Sequence, residues 1–399
     1  MNSSIWITIP TYWGIPGSEE NPAIVDFDHP SSPATDGTLE RTLESLKILE
    51  DNFTLLLILA VTHNEYINRA VKRVKSIAGK FKMDFPVYIV SPENLPVIND
   101  TLDDPLLSLD SYGNIRNVQL AVPYIMNADI VVGIDDDEVI EDPCFLSKVT
   151  EYTGKEYQGE LVAGTAGPYF NRKGGYVISG AEELKNTPNM FIKKNYFMNE
   201  ALKKVMSQKE DIVKSNVAFG GNMSIPRETI RCACHDPYIP RGEDYDYVIN
   251  AWMKGKYFFF QPGMGIVHLP PDSTGSQAGD NIIKMLADIK RFLYMQGKMK
   301  YYFSVNKGKD FDKDYLLPYP GVYFDEELDL ESQAVEALKL LYPDYGDKNA
   351  NQKFVKEAVR IAGIKVREFF LYSKRWEKAM DYVDHNQQIG QVIDENCRV

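Results

Sequence analysis

Val131-Val132-Gly133-Ile134-Asp135-Asp136-Asp137-Glu138 carries an apolar, β-branched run straight into four consecutive acids. The first half has the composition of a buried strand. The second half cannot be buried cheaply, because like charges this close repel and resist desolvation. An exposed acidic turn would satisfy the four acids with water. A hard divalent cation with oxygen preferences would satisfy them too. The acids stand at the C-terminal end of a buried-type strand, which is where open α/β sheets receive ligands.

The chain upstream supplies the rest of such a sheet. Ile5 to Ile9 reads as a first strand stopped by Pro10, and a long Gly/Pro/Asp/Ser loop follows, from Thr11 to about Gly37. A loop of that length in a compact domain suggests binding. Leu39, Leu43 and Leu46 have helical spacing over 38–49, with Asp36 or Thr38 as cap. Phe53 to Val61 is a continuous apolar strand of the parallel-sheet kind. Glu65 to Phe81 is an amphipathic helix with Ile67, Ala70, Val71, Val74 and Ile77 on one face. Phe85 to Val90 is a third strand, and Ile115 to Ile125 a helix interrupted near Pro123. Strands alternating with helices predict parallel βαβ units and a doubly wound sheet.

Downstream the pattern loosens. Strands are expected over 161–169 and 176–179, a helix over about 195–213, and a short strand around the glycine pair of Ala218 to Pro226. A helix opens at Arg241-Gly242-Glu243-Asp244, with acids in its first turn where the dipole favours them. Strands over 257–261 and 265–269 follow, with His268 near the end of the second. From about Pro271 the chain turns helical; Ile282, Met285, Leu286, Ile289, Phe292 and Leu293 form one stripe. The expected organisation is an α/β domain over 1–270 and a mostly helical C-terminal region over 271–399.

Composition narrows the function classes. The 399 residues carry a net charge of -13, which argues against a nucleic-acid binder. The four cysteines (Cys144, Cys232, Cys234, Cys397) suggest no disulfide framework, and Cys232-Ala233-Cys234-His235 lacks a second cluster to complete a soft-metal site. No apolar run is long enough to span a bilayer, and no basic-then-apolar leader opens the chain, so a cytoplasmic protein without a transmembrane segment is expected. G-x-G-x-x-G, G-x-x-x-x-G-K-S/T and G-x-S-x-G are all missing, which removes the common dinucleotide, P-loop and hydrolase readings.

Three features remain in order: the acids, Glu243-Asp244 opening a helix, and His268 at a later strand end. With Ile9-Pro10-Thr11-Tyr12, Arg116-Asn117 and Gly220-Gly221-Asn222-Met223-Ser224, this order resembles the GT-A glycosyltransferases of the large family 2 group, over about residues 5–270. The Thr11–Gly37 loop is longer than that family's, and the final Q-x-x-R-W of processive members is missing. The resemblance implies transfer of a sugar from a nucleotide-diphosphate sugar (UDP- or GDP-linked) to an acceptor hydroxyl, without processivity. It implies Pro10, Thr11, Tyr12, Arg116, Asp135 and Asp136 at the nucleotide sugar, and Gly221, Asn222 and Arg241 at the acceptor. It implies a Mn²⁺ or Mg²⁺ cofactor held by Asp137 and His268 with Asp135, Asp244 as general base and Glu243 orienting the acceptor, hence inversion. The acids leave the Asp-x-Asp register open between Asp135/Asp137 and Asp136/Glu138; the first keeps Ile134 as the last strand residue.

The residue types suit that chemistry. A diphosphate leaving group needs its developing charge neutralised, and an acceptor hydroxyl needs a base. Arg116, Arg172, Lys173 and Arg241 offer positive charge, with solvation accounting for at least two of them. The acceptor is expected to be a small molecule, a lipid-linked molecule or a glycan. The C-terminal helices either close over it or form a homo-oligomer. A sugar-phosphate nucleotidyltransferase would want a basic Gly-rich loop after the first strand, and Thr11 to Gly17 contains no Lys or Arg. A catalytically silent nucleotide-sugar binder is the remaining alternative; it would place Asp244 far from the acids.

Overall fold

The computed structural model describes residues 3–14, 27, 30–35, 37–81, 84–271, 278–386 and 388–399, with 278–281 as backbone only. Asp36 and most of the long loop after β1 lie outside the described residues. Four strands form the parallel heart of the sheet: β1 (Ile5–Trp13), β2 (Thr54–Val61), β3 (Val87–Val90) and β4 (Ile130–Gly133). They stand in the order β4-β1-β2-β3, all parallel. Beyond β4, Met223–Pro226 pairs antiparallel, and Thr165–Ala166, Phe259–Phe260 and Val213–Lys214 complete eight strands. The α/β class, the doubly wound and mostly parallel sheet, and the helical C-terminal region all match expectation.

Alternation explains the layers. Ile5, Ile7 and Ile9 of β1 join Leu55, Leu57 and Leu59 of β2 in one core, against Leu39, Leu43, Ala70, Val74, Ile77 and Phe145 from three helices. Trp6, Leu56, Ile58 and Ala60 face the other way. There they meet the Tyr112–Ile125 helix, the Glu243–Met253 helix and the C-terminal helices in a second, larger core.

Some expectations need correction. β1 does not stop at Pro10 but continues to Trp13, with Pro10 opposite Ile58. Thr8 turns its carbonyl toward β4, accepting from Ile134 at 3.0 Å. Pro10, two residues on, turns the same way past the end of β4, so its missing N–H costs no ladder bond. The helix after Ser111 begins at Tyr112, capped by the Ser111 hydroxyl, and runs through Pro123. The stretch 176–179 is not a strand. The Asn199 side chain instead supplies both bonds a strand partner would, accepting from Ile178 N and donating to Ile178 O. Thr38 holds the cap position of its helix without a side-chain bond.

The C-terminal helices are fastened to the sheet by polar as well as apolar contacts. Ala278–Val305 carries Lys298, which is 1% exposed and reaches Asp236 at 2.5 Å and Asp246 at 2.7 Å. Tyr294 donates to Asp236, and Asn250 to Asp246. Asp246 lies in the first turn of the Glu243–Met253 helix, so this cluster anchors that helix from behind. Lys298→Met leaves two buried carboxylates without their cation and is expected to cost about 3–5 kcal/mol, read by urea unfolding. A cost under about 1 kcal/mol would show the acids to be compensated elsewhere. The Lys348–His385 helix adds Trp376, whose indole donates to Ile230 O at 2.7 Å. Arg398 bridges Tyr88 and Val399 N bonds Val87 O, covering the edge of β3. Among the described residues no helix is long and apolar enough to cross a membrane.

Candidate active site

The four acids leave the C-terminal end of β4 in a tight turn, and each meets a different partner. Asp135 pairs with Arg116 Nη2 at 2.7 Å. Asp136 accepts from the Thr11 hydroxyl at 2.6 Å, and its carbonyl accepts from Thr42 at 2.8 Å. Asp137 approaches His268 Nε2 at 3.3 Å. Glu138 is fully buried, accepts from Asp135 N at 2.7 Å, and also engages the Tyr169 hydroxyl.

Strand pairing explains why His268 arrives here. Glu138–Val139 pairs antiparallel with Ile266–His268, with His268 directly opposite Glu138. Leu269 N bonds Asp137 O at 2.8 Å and extends the ladder by one step. Tyr169–Phe170 flanks the other side of Ile266–His268. The Tyr169 ring stacks on His268 at 5.3 Å and on Phe219 at 4.5 Å, which fixes the imidazole plane. Arg41 Nη2 bonds Leu269 O, holding the strand end from the side.

Arg116 connects the acids to the second motif. It is 5% exposed and sits between Asp135 and Glu243, whose Oε1 lies 3.4 Å from Nε. Gln119 orients the guanidinium at 3.1 Å. Glu243 opens its helix from Gly242, a left-handed residue at φ 71°. The Glu243 carbonyl faces His235 Nδ1 at 3.2 Å, and His235 is buried and stacked on Tyr247 at 4.3 Å. His235 therefore serves packing rather than a Cys/His metal site. Asp244 is partly exposed beside Glu243 and accepts from its neighbour Tyr245 N at 2.7 Å.

The glycine pair has a steric cause. A Cβ at Gly220 would press on the Arg116 guanidinium, and one at Gly221 would strike the Glu138 carboxylate. Gly221 N donates to the Tyr169 hydroxyl at 2.7 Å. Asn222 is fully buried and spends its amide on Met264 O and Pro168 O, at 2.7 and 3.2 Å. Its side chain thus braces the loop that carries His268. Arg172 and Lys173 are exposed in a turn.

Burial governs the electrostatics. It raises Asp135 despite Arg116, lifts Asp136 to about 7 despite the Thr11 bond, and pushes Glu138 well up. Glu243 is raised for the same reason, against Arg116. Burial works against the His268 imidazolium, but its bond to Asp137 and the charges of Asp137 and Asp135 together outweigh this and leave its pKa above the ordinary value.

Among the expected ligands, Asp137 and His268 converge, whereas Asp135 turns to Arg116. Among the described residues no group of three His, Cys, Asp or Glu has the arrangement of a complete metal cage. One carboxylate oxygen and one imidazole nitrogen make a two-donor platform, which suits a cation whose other positions are filled by phosphate oxygens and water. Tyr12, close enough to Arg116 and Asp135 to interact with both, leans toward Phe27, which lines a cavity of about 640 Å³. Its ring packs on Phe27 at 4.7 Å and on Tyr112 at 5.4 Å. The cavity opens at the C-terminal ends of β2 and β3, lined by Phe27, Thr62, Pro92, Leu95, Leu107 and Asp110 among others. Sequence reasoning missed Tyr169, Phe219, Arg41 and Gln119. They bring no chemistry of their own, only orientation, and nothing in their spacing marks them.

No protein-family model matches the chain. No curated protein matches it either. Among solved structures, it is similar to a mannosyltransferase from Pyrobaculum calidifontis, PcManGT, in complex with GDP-Man and Mn²⁺. The identity there is 11%, over 96% of this chain and 86% of that chain, with a TM-score of 0.47. It is also similar to glucosyl-3-phosphoglycerate synthase from Mycobacterium tuberculosis in complex with Mn²⁺, UDP and phosphoglyceric acid. In that case the identity is 15%, over 72% of this chain and 78% of that chain, with a TM-score of 0.36.

Proposed function

We propose that this chain is a metal-dependent glycosyltransferase that moves a sugar from a nucleotide-diphosphate sugar to an acceptor hydroxyl. One observation carries the reading: Arg116 ties the acid turn, whose Asp137 meets His268, to the helix that Glu243 and the partly exposed Asp244 open, so one guanidinium links the cation platform to that pair of acids. Asp137 and His268 would hold a Mn²⁺ or Mg²⁺ ion, which supplies charge neutralisation to the departing diphosphate.

The protein's own groups do the remainder. The cavity beside Phe27 is of a size to receive the nucleoside, within the usual range for ligand sites. Arg116 sits between Asp135 and Glu243 and fixes both carboxyls in place, so both present oriented polar groups to sugar or ribose hydroxyls. Asp244, the less engaged acid of its pair, takes the proton of the attacking hydroxyl. Attack from that side, opposite the diphosphate, inverts the anomeric centre.

A thermal-shift screen of UDP-, GDP-, ADP- and CMP-sugars with Mn²⁺ tests the donor. One nucleotide class is expected to raise the melting temperature by several degrees, since a ligand bound only by the native state stabilises by about 2.7 kcal/mol at a hundred times its Kd. EDTA is expected to erase most of that shift. A nucleotide shift that persists in full with EDTA would remove the cation from the mechanism, and no shift with any sugar would remove the donor class.

A further inference from the structure

Behind the first turn of the Glu243–Met253 helix lies a group of buried polar atoms that the transfer chemistry above leaves unused. Arg291 is 5% exposed, and its Nε and Nη2 have no hydrogen-bond partner among the described residues. These two nitrogens form one edge of the guanidinium, the edge that grips two oxygens of a carboxylate or phosphate at once. Around it, Tyr245 Oη and Asp288 Oδ1 are also buried without a partner, and the Tyr319 hydroxyl faces the guanidinium without a well-aligned bond. Native proteins rarely leave such atoms unpaired, and several in one place point to an occupant.

These groups are neighbours. The Arg291 guanidinium lies 5.7 Å from the Tyr319 ring centre, and the Tyr319 and Tyr245 rings meet edge-on at 4.9 Å. Lys194 Nζ bonds Asp288 Oδ2 at 2.5 Å, and the charge of Arg241 is felt at Lys194. A Cβ at Gly242 would run into Arg291, so this glycine brings the start of the Glu243–Met253 helix against the guanidinium. Asp244 is close enough to interact electrostatically with Arg291, Tyr245 and Tyr319.

We propose that Arg291, with Tyr245, Tyr319 and Lys194, forms a pocket for an oxyanion, and that the acceptor is therefore a hydroxyl-bearing carboxylate or phosphate. The second clause rests on the glycosyltransferase reading; the pocket itself does not. Lys194 and Arg291 are two cations set against the carboxylates of Asp288 and Asp244, so the open guanidinium edge, rather than a surplus of charge, is what favours an oxyanion. The tyrosine hydroxyls donate to its remaining oxygens, and Asp288 Oδ1 accepts from a hydroxyl. Gripped there, the acceptor would present another hydroxyl to Asp244.

The test uses isothermal titration of the full chain with inorganic phosphate and, separately, with glycerate, at constant ionic strength. Wild type is expected to bind at least one of them. Arg291→Lys keeps the charge but loses the fork, and is expected to weaken that binding tenfold or more. Tyr319→Phe and Tyr245→Phe remove only a hydroxyl and are expected to weaken it several-fold. Preference for phosphate or for glycerate identifies the anion. No binding to wild type, or equal binding to all variants, overturns the pocket. If Arg291→Lys does not fold, the two tyrosine variants decide alone. Nucleoside diphosphate with Mn²⁺ is titrated in parallel. Its failure to bind, alongside Arg291-dependent phosphate or glycerate binding, would sink the proposed function and leave the pocket standing.

Discussion

Asp137→Ala is expected to lower the affinity for nucleoside diphosphate with Mn²⁺ by roughly 100-fold or more, on the scale at which even indirect supports of a metal site matter. The surroundings explain why the loss should be large. Asp137 is the acid of the turn that faces His268, at 3.3 Å. The other three acids of the turn have partners of their own. Asp135 is committed to Arg116 at 2.7 Å, Asp136 to the Thr11 hydroxyl at 2.6 Å, and Glu138 to Asp135 N at 2.7 Å. A lone imidazole nitrogen would remain, too little to hold a hard cation against water. The fold should tolerate the change, because Asp137 ties into the strand ladder through its carbonyl and not its carboxylate. Titration calorimetry with and without Mn²⁺ measures the effect. Mn²⁺-dependent affinity equal to wild type would place the cation elsewhere.

Asp244→Asn is expected to reduce kcat by about 10²–10⁴, the range that a positioned general base supplies. The amide keeps the oxygen that accepts from Tyr245 N, so the first turn of the helix should hold. Nucleotide affinity should stay within about threefold of wild type, because Asp244 faces the acceptor side in this reading while Glu243 takes the bond from Arg116. The comparison needs the donor found by the thermal-shift screen, with product counted under single-turnover conditions. Parallel loss of turnover and nucleotide binding would assign Asp244 to the scaffold.

How much could be read beforehand depended on the range of the interaction. The parallel strands were legible because burial on both faces demands continuous apolar runs such as Leu55 to Ala60. The acids, Glu243-Asp244 and His268 were legible because their residue types carry charge or lone pairs at strand and helix ends. The fine arrangement was not. Whether Asp135 turns to Arg116 or to a cation depends on packing between segments far apart in the chain. Pro10 misled because a proline usually ends a strand, and only the shortness of β4 spares it that effect. The stretch 176–179 misled because one asparagine side chain, Asn199, replaces a strand partner. Arg291 was lost within an apolar helical stripe, since nothing in periodicity reveals a buried cation with an unpaired edge.

The pairing of Glu138–Val139 with Ile266–His268 has a consequence for assembly of the molecule. The two groups that would grip a cation belong to segments that meet only when this late strand zips onto the acid turn. A chain cut before Ile266 would keep all four acids of the turn and yet lose His268. The unfolded polypeptide likewise offers scattered carboxylates with no shared focus. Under the proposed function, cation affinity would be a property of the closed ribbon, and linkage would run both ways. Mn²⁺ with nucleotide should slow amide hydrogen exchange at Val267 and Leu269, and chelation should release it. The donor would then act as a clasp on the last-joined strand, so that binding a substrate and completing the fold become one event at this edge of the sheet.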